Sequence, residues 1–255
     1  MVAEAAAQPD EAAHPAERDR ATAASPVAPV LELEDAFPDF EASSLPNALL
    51  RLRLCPGECV LIETHDTERA TALADLCSGM IPLIRGTVRF MGYDWSELDQ
   101  ERSLALRGRI GRIHARGAWA SLLRTHVNVM LPMLHHTREP VASIAQSALE
   151  LAQQVGLPGL PLVRPDRLGE SDLVRAACVR AFLGEPQLLL IEGAAIGAES
   201  AELMPVLLDL LLRALDRGAA AVCFARDLPL WRRQHFPMSQ RLILLEDGLK
   251  SMRDL

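Results

Sequence analysis

The chain has 255 residues, 49% hydrophobic and 24% charged, with a formal net charge of −8 and a sequence pI of about 5.4. That length and composition suit one large α/β domain or two small ones with a sizeable core. The acidic balance argues against a nucleic-acid surface, which needs clustered positive charge: the basic residues are almost all arginine and scattered, and pairs such as Arg51/Arg53 and Arg232/Arg233 read as solvated faces.

Residues 1 to about 28 are rich in Ala, Pro, Glu and Asp with almost no branched apolar side chains and are expected to form a disordered tail; deleting Met1 to Ser25 is expected to leave the thermal midpoint essentially unchanged. Alternation from Val30 to Glu34 and from Leu50 to Leu54 predicts two strands. A turn at Pro56-Gly57-Glu58 leads into a buried-type strand, Cys59 to Ile62, and helical spacing follows over Thr67 to Cys77. Thr87 to Phe90 is a further strand. The middle is helical, with helices predicted over Val141 to Val155 and Ser171 to Leu183 around a break at Gly156-Leu157-Pro158-Gly159. A buried strand at Leu188 to Ile191, a helix over Leu203 to Leu215, and strands at Ala220 to Ala225 and Arg241 to Leu245 complete the pattern, before a turn at Asp247-Gly248. Strands alternating with helices imply a largely parallel sheet covered on both faces.

The five cysteines, Cys55, Cys59, Cys77, Cys178 and Cys223, contain no CxxC pair and lie in or beside apolar segments, as buried thiols of a reducing compartment do. No basic N-terminal segment precedes an apolar one, and no apolar run approaches the roughly 18 residues that span a bilayer. Direct membrane insertion is therefore not expected.

Several segments in order resemble an ATP-binding cassette: Leu-x-Pro-Gly-Glu-x-Val-Leu-Ile at 54–62, the strand beginning at Gly86, Ile110-Gly111-Arg112-Ile113, Asn128-Val129 with Leu131-Pro132, Val155-Gly156-Leu157, Arg175 to Phe182, Glu185-Pro186-Gln187-Leu188 and Leu244-Leu245-Glu246-Asp247-Gly248. The likeness covers about residues 30 to 250, and Asn128 to Thr137 and Val155 to Leu168 are most similar to the cassette subunit of Mla-type lipid transporters, with lipoprotein-exporting and cell-division cassettes as near competitors. It implies an α/β, P-loop NTPase-like cassette with a mostly parallel core sheet and an antiparallel β portion. The cassette domain then occupies 29–255, with core 29–115 and 183–255 and a helical subdomain inserted at about 116–182.

A phosphate loop needs glycines whose N–H groups close around the phosphates, a lysine for the β and γ groups, and a Ser/Thr hydroxyl for Mg²⁺. In this frame the loop reads Thr64-His65-Asp66-Thr67-Glu68-Arg69-Ala70-Thr71, without glycine, with Ala70 at the lysine position and only Thr71 kept; the chain's one lysine is Lys250. Glu63, Asp66 and Glu68 add negative charge, worth about 1 to 4 kcal/mol of repulsion for each charge pair at 4 Å. Arg69 is a candidate compensating charge. Glu192-Gly193 stands where the family has a metal-binding aspartate and a water-orienting glutamate, Ala115 for the loop glutamine, Arg226 for the switch histidine, Leu168-Gly169-Glu170-Ser171 for the signature, and Glu199 for an aspartate. Glu170 would face a γ-phosphate held by a paired cassette.

Glu192 is read as a solvated or capped carboxylate, Thr67 and Thr71 as early-helix residues beside Asp66, His126, His135 and His136 as surface histidines, and Phe37 or Phe40 as a core or adenine-stacking aromatic. No Gly-x-Ser-x-Gly, Gly-x-Gly-x-x-Gly or His-Glu-x-x-His motif points to another chemistry. The expectation is a pseudo-ATPase with no metal and no cofactor, ATP and Mg²⁺ being the alternative. It would be cytoplasmic and held at the inner membrane by an integral permease docked at Trp119, Leu122 and Leu123, with pairing as a homodimer or with another cassette left open. The competing readings are a soluble regulatory or scaffold protein and a weak ATPase using Thr71 and Glu192.

Overall fold

The computed structural model describes residues 27–39, 41, 43–193, 202–226, 231 and 236–252. Most of the predicted tail, together with Phe40, Glu199 and the Arg232/Arg233 pair, lies outside the described residues.

Two sheets organise the chain. β1 (Leu31–Pro38), β2 (Leu50–Leu54), β4 (Leu83–Phe90) and β5 (Tyr93–Asp94) form an antiparallel sheet in the order β2-β1-β4-β5. In β2 every second residue is buried, so the Leu-Arg alternation places leucines inward and arginines in solvent. Predicted strands appear here with longer bounds: β1 runs to Pro38 through an irregularity after Leu33, and β4 starts at Leu83 rather than Thr87.

β3 (Cys59–Glu63), β6 (Ile110–Ile113), β7 (Leu188–Glu192), β8 (Ala220–Ala225), β9 (Gln240–Leu245) and β10 (Gly248–Ser251) form the second sheet, in the order β10-β9-β3-β8-β7-β6. It is parallel from β9 to β6, and β10 closes it as an antiparallel hairpin. β7 and β8 are buried at every position because helices or the other sheet cover both faces, which explains their continuous apolar runs.

The helices are α1 (Thr67–Cys77), α2 (Gln100–Arg107), α3 (Thr125–His136), α4 (Val141–Gln154), α5 (Glu170–Phe182) and α6 (Met204–Asp216). α1 matches its predicted bounds and packs with the inter-sheet core through Leu73, Leu76 and Cys77. α3, α4 and α5 stand between β6 and β7 in the chain and pack on one another; α3 was not predicted, because its sequence lacks an amphipathic period. β6 lies so near α5 that a Cβ on Gly111 would come within 2.0 Å of the Ala181 carbonyl oxygen.

Four cysteines are buried as predicted, while Cys55 is partly exposed at the end of β2. Among the described residues no helix is long and apolar enough to cross a membrane.

Candidate functional site

Parallel strands β3, β7 and β8 end side by side, and the turn from β3 into α1 crosses their C-terminal edge. In such sheets this edge is where ligands bind. The turn is pinned there by Thr64, whose amide donates to the Ala225 carbonyl (3.0 Å). Asp66 then caps α1: its Oδ1 accepts from the amides of Glu68 (2.8 Å) and Arg69 (3.3 Å). Free amides at a helix N-terminus attract anions, and here the chain's own carboxylate takes two of them.

Arg69 is engaged as well. Its Nη2 meets Glu246 Oε1 at 2.6 Å and its Nε lies 3.4 Å from Asp66 Oδ2, so the cation sequence reasoning offered to an incoming anion is shared between two carboxylates. The space bounded by Thr64, Ala70, Glu192, Gly193, Phe224 and Arg226 measures about 10 Å³, room for a single water at most.

Glu192 corrects an expectation. It is not solvated: its side chain is 1% exposed, and its carboxylate is saturated from within. Oε2 accepts from the Thr71 hydroxyl (2.5 Å) and the Ala115 amide (3.3 Å), while Oε1 accepts from Arg112 Nε (2.8 Å). Arg112 also reaches Asp75 Oδ1 through Nη1 (2.5 Å) and the Thr71 carbonyl through Nη2 (3.1 Å). Its side chain is 9% exposed, so it is no solvated arginine either. The parallel register explains the meeting: Arg112 pairs with Leu190, which places it beside the strand end that Glu192 occupies.

A buried carboxylate is tolerable only when its charge and lone pairs are answered, and one guanidinium, one hydroxyl and one amide answer it here. His114, 3.8 Å from Glu192 Oε1, is held neutral: burial, then the charges of Arg112 and Arg180, lower its pKa to about 4. Beside this network a cavity of about 580 Å³ opens between Ser43, Thr67, Asp75, Met80, His114 and Arg116.

No family model matches the sequence. Over 164 residues the chain is 29% identical to the intermembrane phospholipid transport system ATP-binding protein MlaF of Haemophilus influenzae, a match covering 64% of this chain and 62% of that protein, thus less than two thirds of the relative's length. It is 27% identical over 239 residues to the phosphonates import ATP-binding protein PhnC of Hyphomonas neptunium, covering 89% and 87% of the two chains. Among solved structures, the dimeric bacterial ABC transporter cassette MJ0796 superposes with a TM-score of 0.73 at 18% identity, over 86% of this chain and 96% of that one. The chain is similar to ATP-binding cassettes in sequence, and its fold is that of a cassette.

In the cassette frame, Ala70, assigned to the lysine position, is buried in the first turn of α1 and offers only a methyl group. Thr71 keeps its hydroxyl but gives it to Glu192. Ala115 contributes its amide to the same carboxylate, and Arg226 is exposed just past β8. The assigned signature lies far along the chain at the start of α5, where Gly169 is the cap residue without a side-chain capping bond, Glu170 is exposed, and Ser171 Oγ accepts weakly from Arg175 Nε (3.5 Å). Thr67, at the first position of α1, lines both cavities of this region. Phe37 lies beneath the Arg85 guanidinium, 5.1 Å from the ring centroid.

The segment after Ala115 divides by burial. Val129 is fully buried, Leu123 is intermediate, and Leu122 is 82% exposed. Trp119 packs against the core edge with Arg180 stacked 4.4 Å from its ring; Arg180 in turn donates to the carbonyls of Gly117 and Ala118. Asn128 ties the same segment to α3, accepting from the Ala120 amide (2.8 Å) and donating toward the carbonyls of Ala120, Leu123 and Arg124. His135 and His136 contact edge to face at 4.7 Å, and among the described residues no trio of His, Cys, Asp and Glu is placed to hold a metal ion.

Proposed function

We propose that this cassette is a non-hydrolysing subunit of a membrane transporter of lipid-handling, Mla-like type, cytoplasmic and held at the inner membrane by an integral permease. The observation that carries the reading is the Arg112–Glu192–Thr71 network. The carboxylate and hydroxyl that the family frame assigns to Mg²⁺ are satisfied by each other and by a guanidinium. A divalent ion placed there would meet a cation already in residence.

The phosphate side supports the same conclusion. Asp66 caps the helix amides, Ala70 brings no charge, and the space against Thr64 and Ala70 measures only about 10 Å³, the larger cavity lying on the Thr71 and His114 side. The residues therefore do not fit ATP–Mg²⁺, and no hydrolytic step is assigned to them. The likeness to MlaF supports the lipid-handling assignment, and the exposed Leu122 beside the Trp119–Arg180 stack supports docking of a permease at Trp119, Leu122 and Leu123. The exposed carboxylate of Glu170 at the start of α5 is poorly suited to a γ-phosphate presented by a paired cassette.

Titration calorimetry with ATP–Mg²⁺ tests the first half. No saturable binding is expected; a Kd below about 100 μM, near −5.5 kcal/mol, would overturn it. Ala70→Lys alone is expected to restore nothing, since Asp66 and Arg112 remain. For the second half, folded protein co-purifying with no integral membrane protein would instead favour a free scaffold.

A further inference from the structure

Away from the site just described, three sulfur atoms meet behind the sheet. Cys59 opens β3 and Cys223 lies in the adjacent β8, where the register pairs Cys59 with Ala221 and so brings Cys223 to the same face two residues on. Their Sγ atoms are 3.8 Å apart, both residues are fully buried, and Cys59 Sγ lies 3.5 Å from the Met238 Sδ. Met238 is held in place by its neighbour: Ser239 Oγ accepts from the Cys59 amide (3.1 Å), and the Ser239 amide donates to the Cys59 carbonyl (2.8 Å).

We infer that Cys59, Cys223 and Met238 form a binding site for a monovalent soft cation, copper(I). Thiolate and thioether sulfurs suit such soft ions and disfavour hard cations. At metal–sulfur distances of about 2.3 Å, sulfurs sharing one ion in a trigonal plane lie about 4 Å apart, close to the 3.8 Å and 3.5 Å that separate Cys59 from Cys223 and from Met238. An entry path exists: half-buried Met238, with Met252, lines a surface cavity of about 560 Å³ that also borders Ser239, Gln240 and Arg241.

Binding involves no redox change. The two S–H bonds break heterolytically, both protons pass to water, two metal–thiolate bonds form, and the Met238 thioether adds a lone pair. The remaining single negative charge is spread over three polarisable sulfurs.

The test uses the full chain carrying Cys55→Ser, which removes the partly exposed thiol, reduced and kept without oxygen. Copper(I) is offered as its coloured bicinchoninate complex. The protein is expected to withdraw one ion per chain; Cys59→Ala and Cys223→Ala should each abolish this, and Met238→Leu should weaken it by about tenfold. Thermal unfolding checks that each variant is folded, and X-ray absorption of the loaded unsubstituted site, expected to show sulfur ligands alone, tests the assignment even if a variant is not. Colour that stays with the chelator, uptake undiminished in either alanine variant, or nitrogen and oxygen ligands in the absorption spectrum would each overturn the site.

Discussion

Arg112 is the residue on which the candidate site turns, and it was invisible in the sequence as a functional group. Within Ile110-Gly111-Arg112-Ile113 the sequence shows only a segment resembling a cassette, and nothing local gives the arginine a partner or a task. Its partner Glu192 lies 80 positions later, and only the β6–β7 register brings the two together. Removing the guanidinium alone leaves a buried, unanswered carboxylate, so Arg112→Leu is expected to cost about 3 to 5 kcal/mol in urea unfolding. Arg112→Leu with Glu192→Leu should recover most of that loss, because an apolar pair replaces a paired charge at modest cost. His114 gives a pH signature. Its folded pKa of about 4 is below the unfolded value of 6.5, so the unfolded chain binds more protons in that window. Stability is then full above about pH 6.5 and falls as pH drops toward 4. Thermal midpoints measured across this range should fall less steeply in His114→Gln than in the parent.

At the scale of elements, α1 was legible because its apolar spacing and its Asp66 start signal act locally. What remained hidden was the consequence of that cap, the occupation of amides that would otherwise be free for an anion. Asp66→Ala is expected to cost about 1 kcal/mol, measured by denaturant unfolding. α3 was missed for the opposite reason: with Pro132 inside it and no amphipathic period, it is fixed by packing against α4 and α5 and by Asn128. Sequence comparison singled out Asn128 as part of a motif without giving its task. Its side chain answers the Ala120 amide and the Leu123 carbonyl at the entrance to α3, so Asn128→Ala should lose about 1 to 3 kcal/mol by removing those partners. α2 and β10 were also missed, being short elements whose place depends on their neighbours.

For the whole molecule, the proposed docking face is separable from the core. Leu122 is 82% exposed, so Leu122→Ser should leave the thermal midpoint within about a degree of the parent, as surface changes commonly do. The same variant should be released from membranes on cell fractionation when the parent is retained; retention of the folded variant counts against docking at this residue. The sequence by itself determined the α/β architecture, most strands of the core sheet, α1, α4, α5 and α6, and the residue types at each assigned nucleotide-site position. These follow from hydrophobic period and local turn chemistry, which act over a few residues. Only the tertiary structure decided that Glu192 is buried and saturated, that Arg112 supplies its countercharge, that Trp119 is stacked under Arg180 while Leu122 faces solvent, and that three sulfurs from distant segments converge. Such meetings depend on parallel strand register and on how helices seat against the sheet, and neither leaves a local mark in the chain.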